Sequence, residues 1–346
     1  MHPRLIEIPF LHLTLWSFGA MAALGGLTAL LLVRRMARRA GIDPARMVDG
    51  AMYSLLIGMV GARVFFVIHH CDQFREDWLG VFAIWHGGLE FLGGVVPVIA
   101  FLLLYTRRHK LPVRRYLDIM AVGLMMGLAF GRIGCFLNGC CYGRPTELPW
   151  AVRFPYRSYA YLSQMNPNPD RGRPEPYFEL PQAEYLSFHT QDGRWFPKDL
   201  ADLTESQRLE VTQGTYRCLP VHPTQLYASV NALLLCTILY AVWRRSLAPL
   251  DAGEARTRPW RPGMPFSLAL VLYGIARFLL ESVRDDNPFE AAGLTISQIL
   301  AVALVPLGIV LFATILRMKP DAAAPPIAAG EHHAASLNNV SVRGGD

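Results

Sequence analysis

The sequence predicts an all-α integral membrane protein with seven transmembrane helices, and three observations carry that reading. Hydrophobic residues make up 52% of the 346 residues against 17% charged, and mean hydropathy is +0.26, the balance of a multi-pass membrane chain rather than a soluble one. Seven stretches stay apolar over the roughly 20 residues a helix needs to cross the ~30 Å hydrocarbon layer, where lipid offers no partner for unpaired backbone groups. Basic residues alternate from loop to loop, as the positive-inside bias requires.

The first stretch, 10–33, is too long for a signal peptide, lacks a basic start and ends in RRMARR, so it reads as a retained helix. The others fall at 48–68, 87–106, 117–137, 224–243, 264–283 and 294–316. The loops RRMARRAGIDPAR, RRHKLPVRR and WRRSLAPLDAGEARTRPWR hold five basic residues each, whereas HHCDQFREDWLG and ESVRDDNPFE hold one apiece. The first set is cytoplasmic, which places the N-terminus outside and the C-terminus in the cytoplasm. The net charge of +6 is therefore topological and does not indicate nucleic-acid binding.

Segment 138–222 is too long for a simple connection and rich in Pro, Tyr and Phe. It is expected to form a small external head between helices four and five, with a surface helix over PKDLADLTESQRLEV. Residues 1–319 then form one transmembrane domain. The stretch 320–346 has almost no large apolar residue and reads as a disordered cytoplasmic tail.

Three arginines lie inside predicted helices: Arg63 in LLIGMVGARVFFVIHH, Arg132 in GLAFGRIGCFLN and Arg277 in LALVLYGIARFLLESVR. Each costs about 2.5–3.5 kcal/mol at the bilayer centre, so each calls for a partner or a purpose. All three come about 13 to 15 residues after their helices start, which at ~1.5 Å per residue sets them at one depth in the outer half of the membrane. Two readings stand: three guanidiniums snorkelling to the headgroups, or one convergent cationic pocket for a phospholipid phosphate, whose oxygens match the arginine fork. Glu281, one turn after Arg277, either orients that arginine or simply neutralises it. His86, beside Gly87 and Gly88, opens the third helix. His222 precedes Pro223 at the start of the fifth, where the helix dipole favours a neutral imidazole able to take a proton or merely a cap.

The order GGLEFLGG, GRIGCFLNGCCYGR, HPTQLY and LYGIARFLLESVR resembles the prolipoprotein diacylglyceryl transferase family over residues 10 to 317. The most specific block is carried by Gly131, Arg132, Gly134, Phe136, Asn138 and Gly143. The resemblance implies an enzyme of the bacterial inner membrane, its active site facing the outer leaflet among membrane lipids. Its reaction transfers the diacylglyceryl group from phosphatidylglycerol to the lipobox cysteine thiol of a prolipoprotein signal peptide. It also implies essential arginines at Arg132 and Arg277, with Tyr273 and Glu281 beside the second; Arg63, Asn138 and Gly143 join them as candidate lipid contacts. Several positions depart from the pattern: Leu92 stands where the family has a histidine, Cys135 where it has Asn, Cys140 where it has an acidic residue, Phe18 where it has Tyr and Ala228 where it often has Glu. Thiol activation then falls to His86, to His222 or to the arginine field. The alternatives are a non-catalytic lipid- or lipoprotein-binding paralogue and a lipid or anion transporter.

Of the six cysteines, Cys135, Cys140, Cys141 and Cys218 fall on the predicted outer side, where disulfides form. A link from Cys140 or Cys141 to Cys218 would tie the start of the head to its end. Neither the adjacent cysteines nor HHC at 69–71 has regular zinc spacing, so no metal or cofactor is expected.

Overall fold

A computed structural model of the chain describes residues 4–8, 13–74, 78–82, 88, 90–189, 193–247 and 260–318. His86 and the tail from Pro320 onward lie outside the described residues. Ten α-helices are present among them: α1 (Ser17–Arg39), α2 (Pro44–His69), α3 (Phe91–Arg108), α4 (Val113–Asn138), three short ones, α5 (Tyr159–Met165), α6 (Gln182–Tyr185) and α7 (Glu205–Thr212), then α8 (Thr224–Leu247), α9 (Met264–Val283) and α10 (Ile296–Arg317).

Six of these, α1, α2, α4, α8, α9 and α10, are long and apolar enough to cross a membrane. Their apolar windows stay largely uncovered by the rest of the chain, only 6% buried in α2 and at most 39% in α4 and α8. Side chains such as Leu55, Leu104, Leu124 and Val230 are more than half exposed, which an integral membrane protein resolves by facing them to lipid. The chain is thus a mostly helical, multi-pass membrane protein.

The chain is mostly helical, with two short hairpins added to the expected helices. Arg4–Ile8 (β1) and Leu13–Trp16 (β2) pair antiparallel, so the first helix begins at Ser17, after a strand that takes the start of the apolar stretch 10–33. A second hairpin joins Leu186–His189 (β3) to Trp195–Pro197 (β4). Periodicity alone does not separate a short apolar strand from the first turn of an apolar helix.

By contacts the chain divides into two compact units. One is built mainly on Arg34–Val113. In it α2 starts behind Asp43, whose Oδ1 accepts from Ala45 N at 2.9 Å, with Pro44 as first helical residue. Gly61 and Gly93 let α2 and α3 approach: a Cβ on Gly61 would lie 2.5 Å from Gly93 O. That contact selects close packing as the role of the second glycine pair in GGLEFLGG.

The other unit holds most of α1, together with α4 to α10. Segment 138–222 lies wholly within it and has its own apolar centre of Tyr142, Phe154, Ala160, Tyr161, Met165, Leu180, Tyr185, Leu203, Val211, Cys218 and Val221. The helix expected over PKDLADLTESQRLEV is shorter: a 3-10 turn at Leu200–Asp202, then α7 behind Thr204, whose side chain and that of Gln207 form a reciprocal cap. At the far end of the unit the Asp118 carboxylate accepts from Gly263 N at 2.7 Å and Phe266 N at 2.9 Å, tying α4 to the first turn of α9.

Candidate active site

Helix α4 ends at Asn138, and the chain turns away through Gly139, whose φ of 78° is left-handed backbone that glycine enters freely. Cys141 follows at φ 62°, a conformation costing a side-chain-bearing residue on the order of 1–3 kcal/mol unless its surroundings fix it. They do. From the first turn of α8, Thr224 Oγ1 donates to Cys141 O at 2.6 Å and Gln225 Nε2 donates to Cys140 O at 2.7 Å.

Main-chain bonds continue the junction. Gly143 N donates to His222 O at 3.1 Å, His222 N to Arg144 O at 3.1 Å, and Arg144 N to Val283 O at 2.9 Å. The exit of α4, the start of α8 and the end of α9 are thereby stitched into one frame. A Cβ on Gly143 would sit 2.7 Å from His222 Cβ and 2.8 Å from His222 O. Only glycine allows that approach, so Gly143 shapes the frame from inside it.

Onto this frame α9 brings its charges. Arg277 Nη2 lies 2.9 Å from Glu281 Oε2 and donates to Ser297 Oγ at 2.8 Å. Arg284 Nη1 reaches the same Glu281 oxygen at 3.4 Å, and Asn287 Nδ2 donates to the other. Glu281 is completely buried, with both oxygens engaged by donors. Of the two readings left open for it, both apply: it neutralises and it orients. Arg284 turns its other edge to Asp286 in a two-point pair of 2.8 and 2.7 Å. Burial works against the Arg284 charge, but the hydrogen bonds and charge of Asp286 outweigh it and lift the pKa above the ordinary guanidinium value.

Arg132, half-buried in α4, lies within electrostatic reach of Arg277 and of the Cys141 thiol. It makes no hydrogen bond or ion pair with any described residue. Tyr273, one turn before Arg277, is also within electrostatic reach of it. The His222 ring stands with Nδ1 3.4 Å from Tyr227 OH, an oxygen that accepts from Trp150 Nε1 at 2.6 Å.

Arg132, Arg277, Tyr273, Glu281, Asn138, Gly143 and His222 thus fall in one unit. Arg63 falls in the other, where its Nε, Nη1 and Nη2 donate to the carbonyls of Val81 at 2.8 Å, Gly88 at 3.0 Å and Gly80 at 2.6 Å. Leu92 is the second residue of α3.

The expected bridge from Cys140 or Cys141 to Cys218 is not formed; all six cysteines are free thiols. Cys218 is buried in the apolar centre of segment 138–222, and its Sγ faces Gln164 Oε1 at 3.4 Å. That centre supplies the cohesion the bridge was expected to add. Cys140 and Cys141 instead line a cavity of about 510 Å³ with Tyr142, Ser163, Asn168 and Asp286. Hydrogen bonds with the thiols of Cys135 and Cys140, followed by the nearby charges of Arg284 and Arg132, hold the Cys141 thiol well below its ordinary pKa against the opposing effect of burial.

Sequence reasoning missed Arg284, Asp286, Asn287 and Ser297. The i, i+3 spacing of Glu281 and Arg284 was the available signal, hidden because ESVRDDNPFE read as a loop.

Within this integral membrane protein a buried carboxylate is thus held between two arginines, and a third, Arg132, lies within electrostatic reach of one of them without a hydrogen-bond or ion-pair partner among the described residues. The family model for prolipoprotein diacylglyceryl transferase matches residues 3–314, and the chain belongs to that family. It is similar to three relatives named phosphatidylglycerol–prolipoprotein diacylglyceryl transferase. The protein of Synechococcus elongatus is 29% identical over 328 residues, covering 94% of this chain and 92% of the relative. That of Rhodospirillum rubrum is 28% identical over 325 residues, 92% and 93% of the two chains. That of Clostridium tetani is 24% identical over 312 residues, 90% and 97%.

Proposed function

We propose that the chain transfers the diacylglyceryl group of phosphatidylglycerol to the lipobox cysteine thiol of prolipoprotein signal peptides, the first step of lipoprotein maturation. The observation that carries this reading is Arg132, a half-buried guanidinium without a partner among the described residues, within electrostatic reach of an Arg277 that is already held. A lipid phosphodiester supplies the missing anion. The acceptor sulfur forms a bond to the glyceryl carbon while that carbon's bond to phosphate oxygen breaks, and glycerol phosphate leaves with the electron pair. Arg132 then stabilises negative charge growing on the leaving oxygen, and Arg277 is kept in place by Glu281 and Ser297.

His222 is the imidazole we assign to the acceptor proton, its ring set against Tyr227 at the start of α8. Asn138 and Gly143 form the frame around the lipid headgroup, and Tyr273 lines the approach on α9. Arg63, with its three donor positions directed to backbone carbonyls, we assign to holding its own loop.

The same reading places the protein in the bacterial inner membrane with seven spans, N-terminus outside, C-terminus cytoplasmic, and residues 138–222 as an external head. The seventh span is α3, whose 18 residues measure about 27 Å, just under the hydrocarbon thickness. The transmembrane domain is residues 1–319 and the cytoplasmic tail 320–346.

The test is direct. Purified protein in phosphatidylglycerol micelles is expected to add a diacylglyceryl thioether to a lipobox peptide, read as a mass increase. Arg132→Lys is expected to lower the rate by about 100-fold or more, because an ammonium does not reproduce the fork. Lipid binding by the wild type without any thioether product would overturn the transferase reading, and full activity in Arg132→Lys would show that this arginine does not hold the phosphate.

A further inference from the structure

We propose that Cys135, Cys140 and Cys141 form a three-thiolate site for a soft monovalent cation, Cu(I). It departs from the expectation drawn from cysteine spacing. The three Sγ atoms all lie within 4.8 Å of one another. A cation held at about 2.3 Å by three sulfurs in a plane sets them about 4.0 Å apart, within about 1 Å of the largest separation the cluster allows.

Sequence spacing hides this convergence. Cys135 is on the last turn of α4, and the left-handed residues Gly139 and Cys141 fold the next two cysteines back against it. The main chain is fixed independently of the thiols, by Thr224 on Cys141 O, Gln225 on Cys140 O, and Cys140 N donating to Cys135 O at 3.2 Å. Ligands carried on a frame so restrained lose little entropy when they close on an ion.

The donor set chooses the metal. All three ligands are sulfur, and the cluster found among the described residues contains no histidine or carboxylate to make a fourth. Zinc favours four ligands in structural sites, whereas thiolate softness at low coordination number suits Cu(I). Three thiolates around Cu(I) carry a net charge of −2, and the guanidiniums of Arg284 and Arg132, within electrostatic reach of Cys141, offset part of it. Cys140 and Cys141 open onto the cavity of about 510 Å³, which gives the ion a route in. Binding releases the thiol protons to solvent as the three Cu–S bonds form, with no change of oxidation state.

The experiment uses full-length protein in detergent, prepared anaerobically and titrated with Cu(I) against a chromogenic Cu(I) chelator. One equivalent is expected to be withdrawn from the chelator, with an X-ray absorption signature of a copper bound by sulfur alone. Serine substitution of Cys135, Cys140 or Cys141 is expected to weaken binding beyond the 10- to 100-fold that loss of a supporting residue causes, while Cys218→Ser and Cys236→Ser leave it unchanged. Three results would overturn the proposal: no copper withdrawn; binding that survives in the triple serine variant; or a chain two hydrogens lighter with Cys135 already joined to Cys140 or Cys141. Zn(II) retained in preference to Cu(I) would overturn the choice of metal.

Discussion

At the scale of single residues, Glu281 and Cys218 show burial acting in opposite ways. Glu281 is buried and charged, tolerable because Arg277, Arg284 and Asn287 engage its oxygens. Cys218 is buried and neutral: it is 3% exposed, and burial pushes its thiol up to about 11 against weaker lowering by a backbone hydrogen bond, Arg153 and Gln164. A thiol whose folded pKa exceeds its unfolded value of about 8.5 contributes stability that is complete below the unfolded value. That contribution is lost as pH rises through about 11. The stability of wild type relative to Cys218→Ala is therefore expected to be flat up to about pH 8 and to fall from there toward pH 11, read as thermal midpoints in detergent. A difference that stays constant over that range would mean the thiol ionises in the fold as readily as in the open chain.

At the scale of elements, most long helices were legible, because a span of some 20 apolar residues has few alternatives in lipid. The motif around Arg132 was legible too, as was the pairing of Arg277 with Glu281 at i, i+4. What was not legible depends on contacts between distant segments. Gly143 reads as one glycine in a motif, and only the proximity of His222 shows that a methyl group has no room there. The thiol cluster is invisible because its convergence depends on left-handed backbone at Cys141. Arg171, an ordinary loop residue by sequence, donates to the carbonyls of Glu281, Arg284 and Asn287 and stacks on Phe289 with 4.4 Å to the ring centre. It thereby caps the C-terminus of α9, where helix carbonyls lack partners and a cation is favoured. Since a hydrogen bond from a charged group contributes about 1.5–3 kcal/mol, Arg171→Ala is expected to lower the melting temperature and to slow lipid transfer together, through displacement of Glu281 and with it Arg277. Arg171→Lys, keeping the charge and part of the bonding, should fall between. An unchanged melting temperature in Arg171→Ala would remove the cap from the account.

At the scale of the whole molecule, the proposed orientation has a built-in reporter. In the proposed orientation the connection after α2 lies outside, and that connection contains Cys71, an exposed free thiol. The other cysteines are half-buried or buried, so Cys71 is the one most open to a bulky reagent. In spheroplasts with intact inner membranes, a membrane-impermeant maleimide is expected to label the protein, and Cys71→Ser is expected to remove most of that label. If Cys71 reacts only after the membrane is permeabilised, the orientation is inverted. The junction of Gly143, His222 and Arg284 would then face the cytoplasm, on the side opposite to exported lipoprotein precursors. The orientation and the proposed reaction therefore stand together: the charge bias of three loops of five basic residues each and the chemistry of an acceptor presented outside the cytoplasm require the same face.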